Sequence, residues 1–193
     1  MSLIQPLPAG ALDIVGDIHG EYDALVSLLS HLGYDNHGQH ALDRTLVFVG
    51  DFCDRGPNSP AVLALVQKLV KAGRAVAVLG NHEINLLRED AKDGSGWFFD
   101  ARVQKDHEKY APYHRPNEAE RASIIAFLSS LPIGLERDDL RVIHAAWQAA
   151  EIATVRALPL GCVRERYDAW ESESKSLAEE NQMEQRMVAE LAH

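Results

Sequence analysis

Three short phrases bounded by glycine constrain this chain more than anything else in it. They are Gly16-Asp17-Ile18-His19-Gly20, Gly50-Asp51-Phe52-Cys53-Asp54-Arg55-Gly56 and Gly80-Asn81-His82-Glu83. Each follows directly on an apolar run, Leu12 to Val15, Leu46 to Val49 and Val76 to Leu79, and a fourth run, Leu140 to Ile143, ends on His144. Runs this apolar predict parallel strands covered on both faces. Four strands would then carry metal-ligating chemistry at their C-terminal ends, where open α/β sheets place their sites.

The intervening stretches switch to a helical period. Residues 22–32 put Leu25, Leu28, Leu29 and Leu32 on one face, and residues 59–72 put Val62, Leu65, Val66 and Leu69 inward. Pro60 suits a first turn and Gly73 a stop. A third helix begins near His82. From 90 to 117 the rhythm dissolves into Gly94, Gly96, Pro112 and Pro116 with the aromatics Trp97, Phe98, Phe99, Tyr110 and Tyr113. That is long for a plain connection and predicts a functional loop or an insertion with short helices. A helix over 118–130 follows, then a hairpin of 133–136 and 140–143 turning on Arg137-Asp138-Asp139. Beyond Arg164 the chain is charged, free of proline and helical in character. At 193 residues we expect a catalytic domain over 1–162, with the insertion at 90–117, and a helical segment over 163–193.

The residue types at the strand ends specify chemistry. Asp17 and His19, two apart in extended chain, point to one side, and Asp51, Asn81 and His144 sit at equivalent places on the other strands. Carboxylate, imidazole and amide oxygen without thiolates suit manganese, iron(II) or zinc. A carboxylate in the middle of such a set, Asp51, could bridge two ions about 3.5–4 Å apart, the arrangement used in phosphoryl hydrolysis. Arg55 offers a planar fork for a tetrahedral phosphate. Asp54 and His82 form a carboxylate–imidazole pair suited to protonating a leaving oxygen. Taken singly each phrase is commonplace: Asp-x-His is usually a loop, Asp-Arg-Gly a turn, and Asn81 an ordinary helix N-cap. Their joint order behind successive strands carries the functional reading. Glu83 reads as a support for the ligands or a first-turn acid, and Cys53 as packing. His31, His37 and His40 read as surface residues, and His107 and His114 as solvent-facing groups on a substrate rim.

A formal charge of −10 disfavours non-specific nucleic-acid binding. It leaves a phosphorylated substrate open, because bound cations reverse the local sign. No run is long and apolar enough for a membrane span and no signal peptide is evident, so we expect a cytoplasmic protein without a membrane partner. Two cysteines, Cys53 and Cys162, predict reduced thiols.

The three phrases resemble, in order and form, the Gly-Asp-x-His-Gly, Gly-Asp-x-x-Asp-Arg-Gly and Gly-Asn-His-Glu signatures of the calcineurin-like metallophosphoesterases. The Asp54-Arg55-Gly56 form is similar to the serine/threonine phosphoprotein phosphatase branch, which includes bacterial and phage phosphatases and symmetrical diadenosine tetraphosphate hydrolases. The likeness covers about residues 10–150. It implies an α/β fold of two face-to-face sheets flanked by helices (α-β-β-α). It implies two divalent ions, manganese first, with iron, zinc and nickel as alternatives. Asp17, His19 and Asp51 would hold the first, and Asp51, Asn81 and His144 most of the second. Arg55 would bind phosphate, and His82 with Asp54 would assist the leaving group while metal-bound hydroxide attacks phosphorus.

The chain departs from that pattern twice. His144-Ala145-Ala146-Trp147 stands where the branch has His-Gly-Gly, bringing an aromatic that favours a planar group such as a nucleobase. The branch's further histidine, in a downstream Gly-His phrase, has no counterpart; the later histidine is His193. We therefore expect a shortened form without its C-terminal strands, or a variant with a weakened second metal site. An apolar rhythm over Val163, Tyr167, Trp170, Leu177, Met183, Met187 and Leu191 predicts a homodimer through the terminal segment, or a helix folded back on the core. The activity expected is a metal-dependent phosphatase acting on a phosphoprotein, phosphoester or nucleotide. Its alternatives are a dinucleoside polyphosphate hydrolase or nucleic-acid-end phosphodiesterase, and a non-catalytic scaffold with a degenerate metal site.

Overall fold

A computed structural model describes residues 1–191. They fall into two compact units, Met1–Gly161 and a second beginning at Cys162.

The first unit holds two three-stranded sheets. One is wholly parallel, in the order β2 (Leu12–Val15), β3 (Thr45–Phe48), β4 (Ala75–Ala77). The other has the order β1 (Ile4–Pro6), β5 (Gly134–Arg137), β6 (Leu140–Ile143), with β1 parallel to β5 and β5 antiparallel to β6. Leu7, Val47, Val78, Leu135 and Val142 form one buried cluster drawn from both sheets, which makes the two sheets the halves of one sandwich. The hairpin pairs Arg137 with Leu140, so its turn is the two residues Asp138-Asp139.

Coverage of the parallel sheet differs from the sequence expectation. Leu46, Val47 and Phe48 of the central β3 are wholly buried, but β2 is an edge strand and its Ile14 is 52% exposed. An apolar run cannot distinguish an edge from a centre, because periodicity reports side-chain type and not the number of neighbouring strands.

The helices begin and end where local chemistry directs. The first, α1 (Tyr22–Leu32), stops at Gly33, whose φ of 93° lets the chain turn back and bond Leu29 and Ser30 carbonyls. It buries Leu25 and Leu29, while Leu28 stays exposed. The second, α2 (Ser59–Lys71), starts where the Asn58 side chain accepts from Ala61 N, and it buries Leu63 along with Val62, Val66 and Leu69. The helix α3 (Asn81–Leu87) follows β4 directly. The 90–117 segment contains two single turns, Ser95–Trp97 and Asp100–Arg102, and α4 (Val103–Tyr110). A reciprocal Asn117–Glu120 capping box opens α5 (Glu118–Ser129). A helix not foreseen from the sequence, α6 (Ala149–Arg156), packs against β1.

The second unit is one helix, α7 (Val163–Leu191), on which Tyr167, Trp170 and Leu177 are exposed. The side chains of Met183, Met187 and Leu191, and His193 entirely, lie outside the described residues. No helix among the described residues is long and apolar enough to cross a membrane. Cys53 and Cys162 are both free thiols.

Candidate active site

The site forms where the chain leaves β2, β3, β4 and β6, and its geometry starts with backbone. Asp51, Asp54 and Arg55 all have positive φ, 53°, 71° and 68°. Side-chain-bearing residues hold such conformations at a cost of about 1–3 kcal/mol each, and only where the surroundings over-determine them. For Asp51 the main determinant is Glu83. Its wholly buried carboxylate accepts from Asp51 N (2.7 Å), Phe52 N (2.9 Å) and Gly80 N (3.0 Å), and the Cys53 thiol donates to it at 3.2 Å. Burial, with the nearby Asp51 charge, pushes the Glu83 carboxyl upward despite those donors. Glu83 therefore ties the second phrase to the third, and Cys53 bonds a carboxylate as well as packing. A Cβ at Gly80 would run into the Asp51 side chain and its backbone N, so only glycine lets these two strand ends approach.

The first phrase hangs on the second. Ile18 N and His19 N both donate to Asp51 O (2.9 Å each), and Gly20 N donates to Phe52 O (2.8 Å). Gly56 in turn must be glycine, because a Cβ there would overlap the His19 carbonyl.

These turns bring every candidate residue of the three phrases and His144 to one place. Their donor atoms converge in two overlapping groups, His19 with Asp51 and His82, and Asp17 with Asp51 and His144, each within 4.8 Å. Asp51 is common to both. The family resemblance joins Asp17 with His19; in the structure Asp17 lies with His144 and His19 with His82, around the same carboxylate. Asp51 Oδ2 is 3.5 Å from His144 Nε2, 3.8 Å from His19 Nε2 and 3.9 Å from His82 Nε2.

The histidines are oriented as ligands require. His144 Nδ1 lies 2.9 Å from Val49 O, and His19 Nδ1 lies 3.0 Å from Cys53 O. A carbonyl only accepts, so each ring carries its proton on Nδ1 and presents the Nε2 lone pair to the cluster. His144 Nε2 also faces Asn81 Oδ1 at 3.1 Å. Two lone pairs facing each other are relieved by a cation between them. The donor set, one carboxylate, two imidazoles and an amide oxygen around the shared carboxylate of Asp51, thus fits divalent metal.

His82 is held differently. Its Nδ1 meets Asp54 Oδ2 at 2.6 Å, and both side chains are almost fully buried. Burial alone would lower the ring's pKa; the Asp54 bond and charge, followed by the Asp51 charge, outweigh it and leave the pKa raised. Asp54 Oδ1 accepts from Trp97 Nε1 at 2.6 Å. Arg55 is exposed at the mouth, its Nη1 3.1 Å from His19 Nε2.

Trp147 stacks under Arg141, 5.3 Å from guanidinium to ring centre, and borders Gly134 of β5. Glu83 supports the ligand turns, one of the two roles read for it, whereas the contact of Trp97 with Asp54 is one that motif reading did not assign. The signal for Trp97 was an aromatic run, Trp97-Phe98-Phe99, directly after Gly94-Ser95-Gly96. His107 and His114 are solvent-exposed, as expected.

Comparison with known proteins follows the same line. The family model described as calcineurin-like phosphoesterase matches residues 11–180. Over 154 residues the chain is 34% identical to a bis(5'-nucleosyl)-tetraphosphatase PrpE [asymmetrical] of Halalkalibacterium halodurans, covering 74% of this chain and 59% of that protein. Over 134 residues it is 34% identical to a symmetrical bis(5'-nucleosyl)-tetraphosphatase of Vibrio campbellii, covering 68% of this chain and 43% of that one. The chain thus spans about half the length of these curated relatives. A cold-active protein-tyrosine phosphatase of a psychrophilic Shewanella species shares the fold, with a TM-score of 0.53 and 23% identity over 86% of this chain and 51% of that one. The chain belongs to the calcineurin-like phosphoesterase family.

Proposed function

We propose that this chain is the catalytic core of a metal-dependent phosphoester hydrolase, and that the unit 1–161 carries the chemistry. The observation that carries the reading is the convergence of both donor groups on Asp51, with the Asp54–His82 pair and Arg55 beside them. Asp17, His19, Asp51, Asn81 and His144 would hold two divalent ions, for which an oxygen-rich, thiolate-free set favours manganese. Bound there, the ions supply Lewis acidity and lower the pKa of water. The chain's own residues do the rest. Arg55 grips the phosphoryl oxygens through its planar fork. Asp54 fixes the His82 ring and supports its protonated form, and Nε2 gives its proton to the leaving oxygen as the phosphorus–oxygen bond breaks. A scaffold role is disfavoured, since a non-catalytic protein has no use for a buried acid pair and a phosphate clamp.

For the substrate, we propose a dinucleoside polyphosphate ahead of a phosphoprotein, on the strength of relatives 34% identical that are named bis(5'-nucleosyl)-tetraphosphatases. The two names differ in symmetry of cleavage, so products as well as rate are informative. Purified chain is assayed with diadenosine tetraphosphate, 4-nitrophenyl phosphate and its bis-ester, with manganese and with chelator. We expect manganese-dependent turnover that is fastest on the dinucleotide. Two ADP would mark symmetrical cleavage, and ATP with AMP the asymmetrical kind. Faster turnover of a phosphopeptide than of the dinucleotide would reverse the substrate order. No turnover with any metal would remove the hydrolase reading.

A further inference from the structure

The carboxylate of Asp54 is 1% exposed and each of its oxygens has one side-chain donor. Oδ2 takes His82 Nδ1, and Oδ1 takes the indole N–H of Trp97, both at 2.6 Å. A carboxylate held at both oxygens is restrained against rotation, and so is the His82 ring it orients. Trp97 is itself closely packed. It is 1% exposed, packs edge-on against Phe98 with ring centres 5.2 Å apart, and sits in a turn where Gly96 N donates to the buried Asp106 at 2.7 Å. The same 90–117 segment reaches the second phrase and the residue after it at two further points: Gly94 O accepts from Arg55 N (3.0 Å), and His114 N donates to Pro57 O (2.9 Å).

We propose that Trp97 is a positioning residue for the Asp54–His82 pair, and that the 90–117 segment is the brace holding the Asp54-Arg55 turn in its left-handed conformation. This rests on the reading of His82 as the group that protonates the leaving oxygen. A buried indole N–H commonly finds some acceptor, and any nearby carbonyl would satisfy it. Trp97 instead occupies the second oxygen of the carboxylate that orients the acid, which makes it a constraint on proton delivery and not only a satisfied donor.

The experiment compares Trp97→Phe, the isostere β-(3-benzothienyl)alanine placed at position 97, and His82→Asn. The isostere keeps ring shape and packing but carries sulfur in place of the N–H. Each protein is measured on phenyl phosphate and on 4-nitrophenyl phosphate, alongside metal content and thermal unfolding. Removing a group that orients a functional side chain from behind typically costs about 10–100-fold. We expect that loss in kcat on phenyl phosphate for both position-97 variants. The loss on 4-nitrophenyl phosphate should be several-fold smaller, because its leaving group needs little protonation. KM and metal content should stay unchanged, and His82→Asn should show the same leaving-group dependence more steeply. Dependence in His82→Asn without it in the position-97 variants overturns this inference alone. Equal losses on both substrates in His82→Asn overturn the acid reading, and this inference falls with it. An isostere that does not fold gives Trp97 a purely structural role and overturns the proposal as well.

Discussion

The turns after β2 and β3 carry the same kind of residue and are built in opposite ways. The turn over 16–20 is open: Asp17 is exposed, and the turn owes its position to hydrogen bonds into the next one. The turn over 50–56 is closed. Asp51, Phe52, Cys53 and Asp54 are buried, three of its non-glycine residues hold positive φ, and Glu83, Ser59 Oγ, Gly94 O and Trp97 tie it from outside. The second turn is therefore the frame and the first its dependant. Damage to the frame should spread to both donor groups, whereas damage to the dependant should stay local.

The largest effect expected is from Glu83→Ala. It strands three buried backbone N–H groups, each costing about 1–3 kcal/mol. We expect at least ~3 kcal/mol of lost stability in urea unfolding, together with loss of bound metal at both positions. Retention of normal metal content would break the idea that this turn frames the whole site.

Asp51→Asn comes next. It removes charge from the one carboxylate common to both groups, and should cut turnover by ~10²–10³-fold while lowering metal content more than any other single donor change. Elemental analysis against the Asp17→Asn and His144→Asn variants decides it, and a chain that kept two metals would show that Asp51 does not bridge.

Arg55→Ala sharpens the comparison from the side, since Arg55 belongs to the closed turn yet touches His19 of the open one. Loss of a charge-assisted donor at a phosphoryl group should cost ~2–4 kcal/mol in kcat/KM. Metal content should be untouched, and unchanged kinetics would give Arg55 a structural role only.

The smallest effect on folding belongs to Asp17→Asn. An exposed carboxylate outside the buried frame should change stability by no more than ~0.5 kcal/mol while weakening one ion's binding by calorimetry. A stability loss as large as that of Glu83→Ala would erase the distinction between the two turns.

Much of this was legible in the amino-acid order. The helix at 22–32 was readable to the residue, because its leucines recur at helical spacing within one short stretch of chain. The candidate ligands were readable too, because each lies within four residues past an apolar run. The tie from Trp97 to Asp54 was not, since it spans 43 positions and leaves no periodic trace. Nor was the place of β1, which pairs with β5 across most of the first unit. Glu83 was read as a first-turn acid or a support, and only its buried contacts show that it serves as both.

By itself, then, the sequence determined which chemical groups end the strands and, to within a residue, where α1, α2 and α5 run. Those features depend on side-chain type and local backbone preference within a few residues. Tertiary structure decided which donors meet around Asp51, which ring nitrogens face inward, that β2 lies at an edge with Ile14 exposed, and that an indole fixes the Asp54 carboxylate. Those depend on contacts between residues far apart in the chain. Such contacts arise only when the two sheets pack on their shared core and bring several strand ends into hydrogen-bonding range of one another.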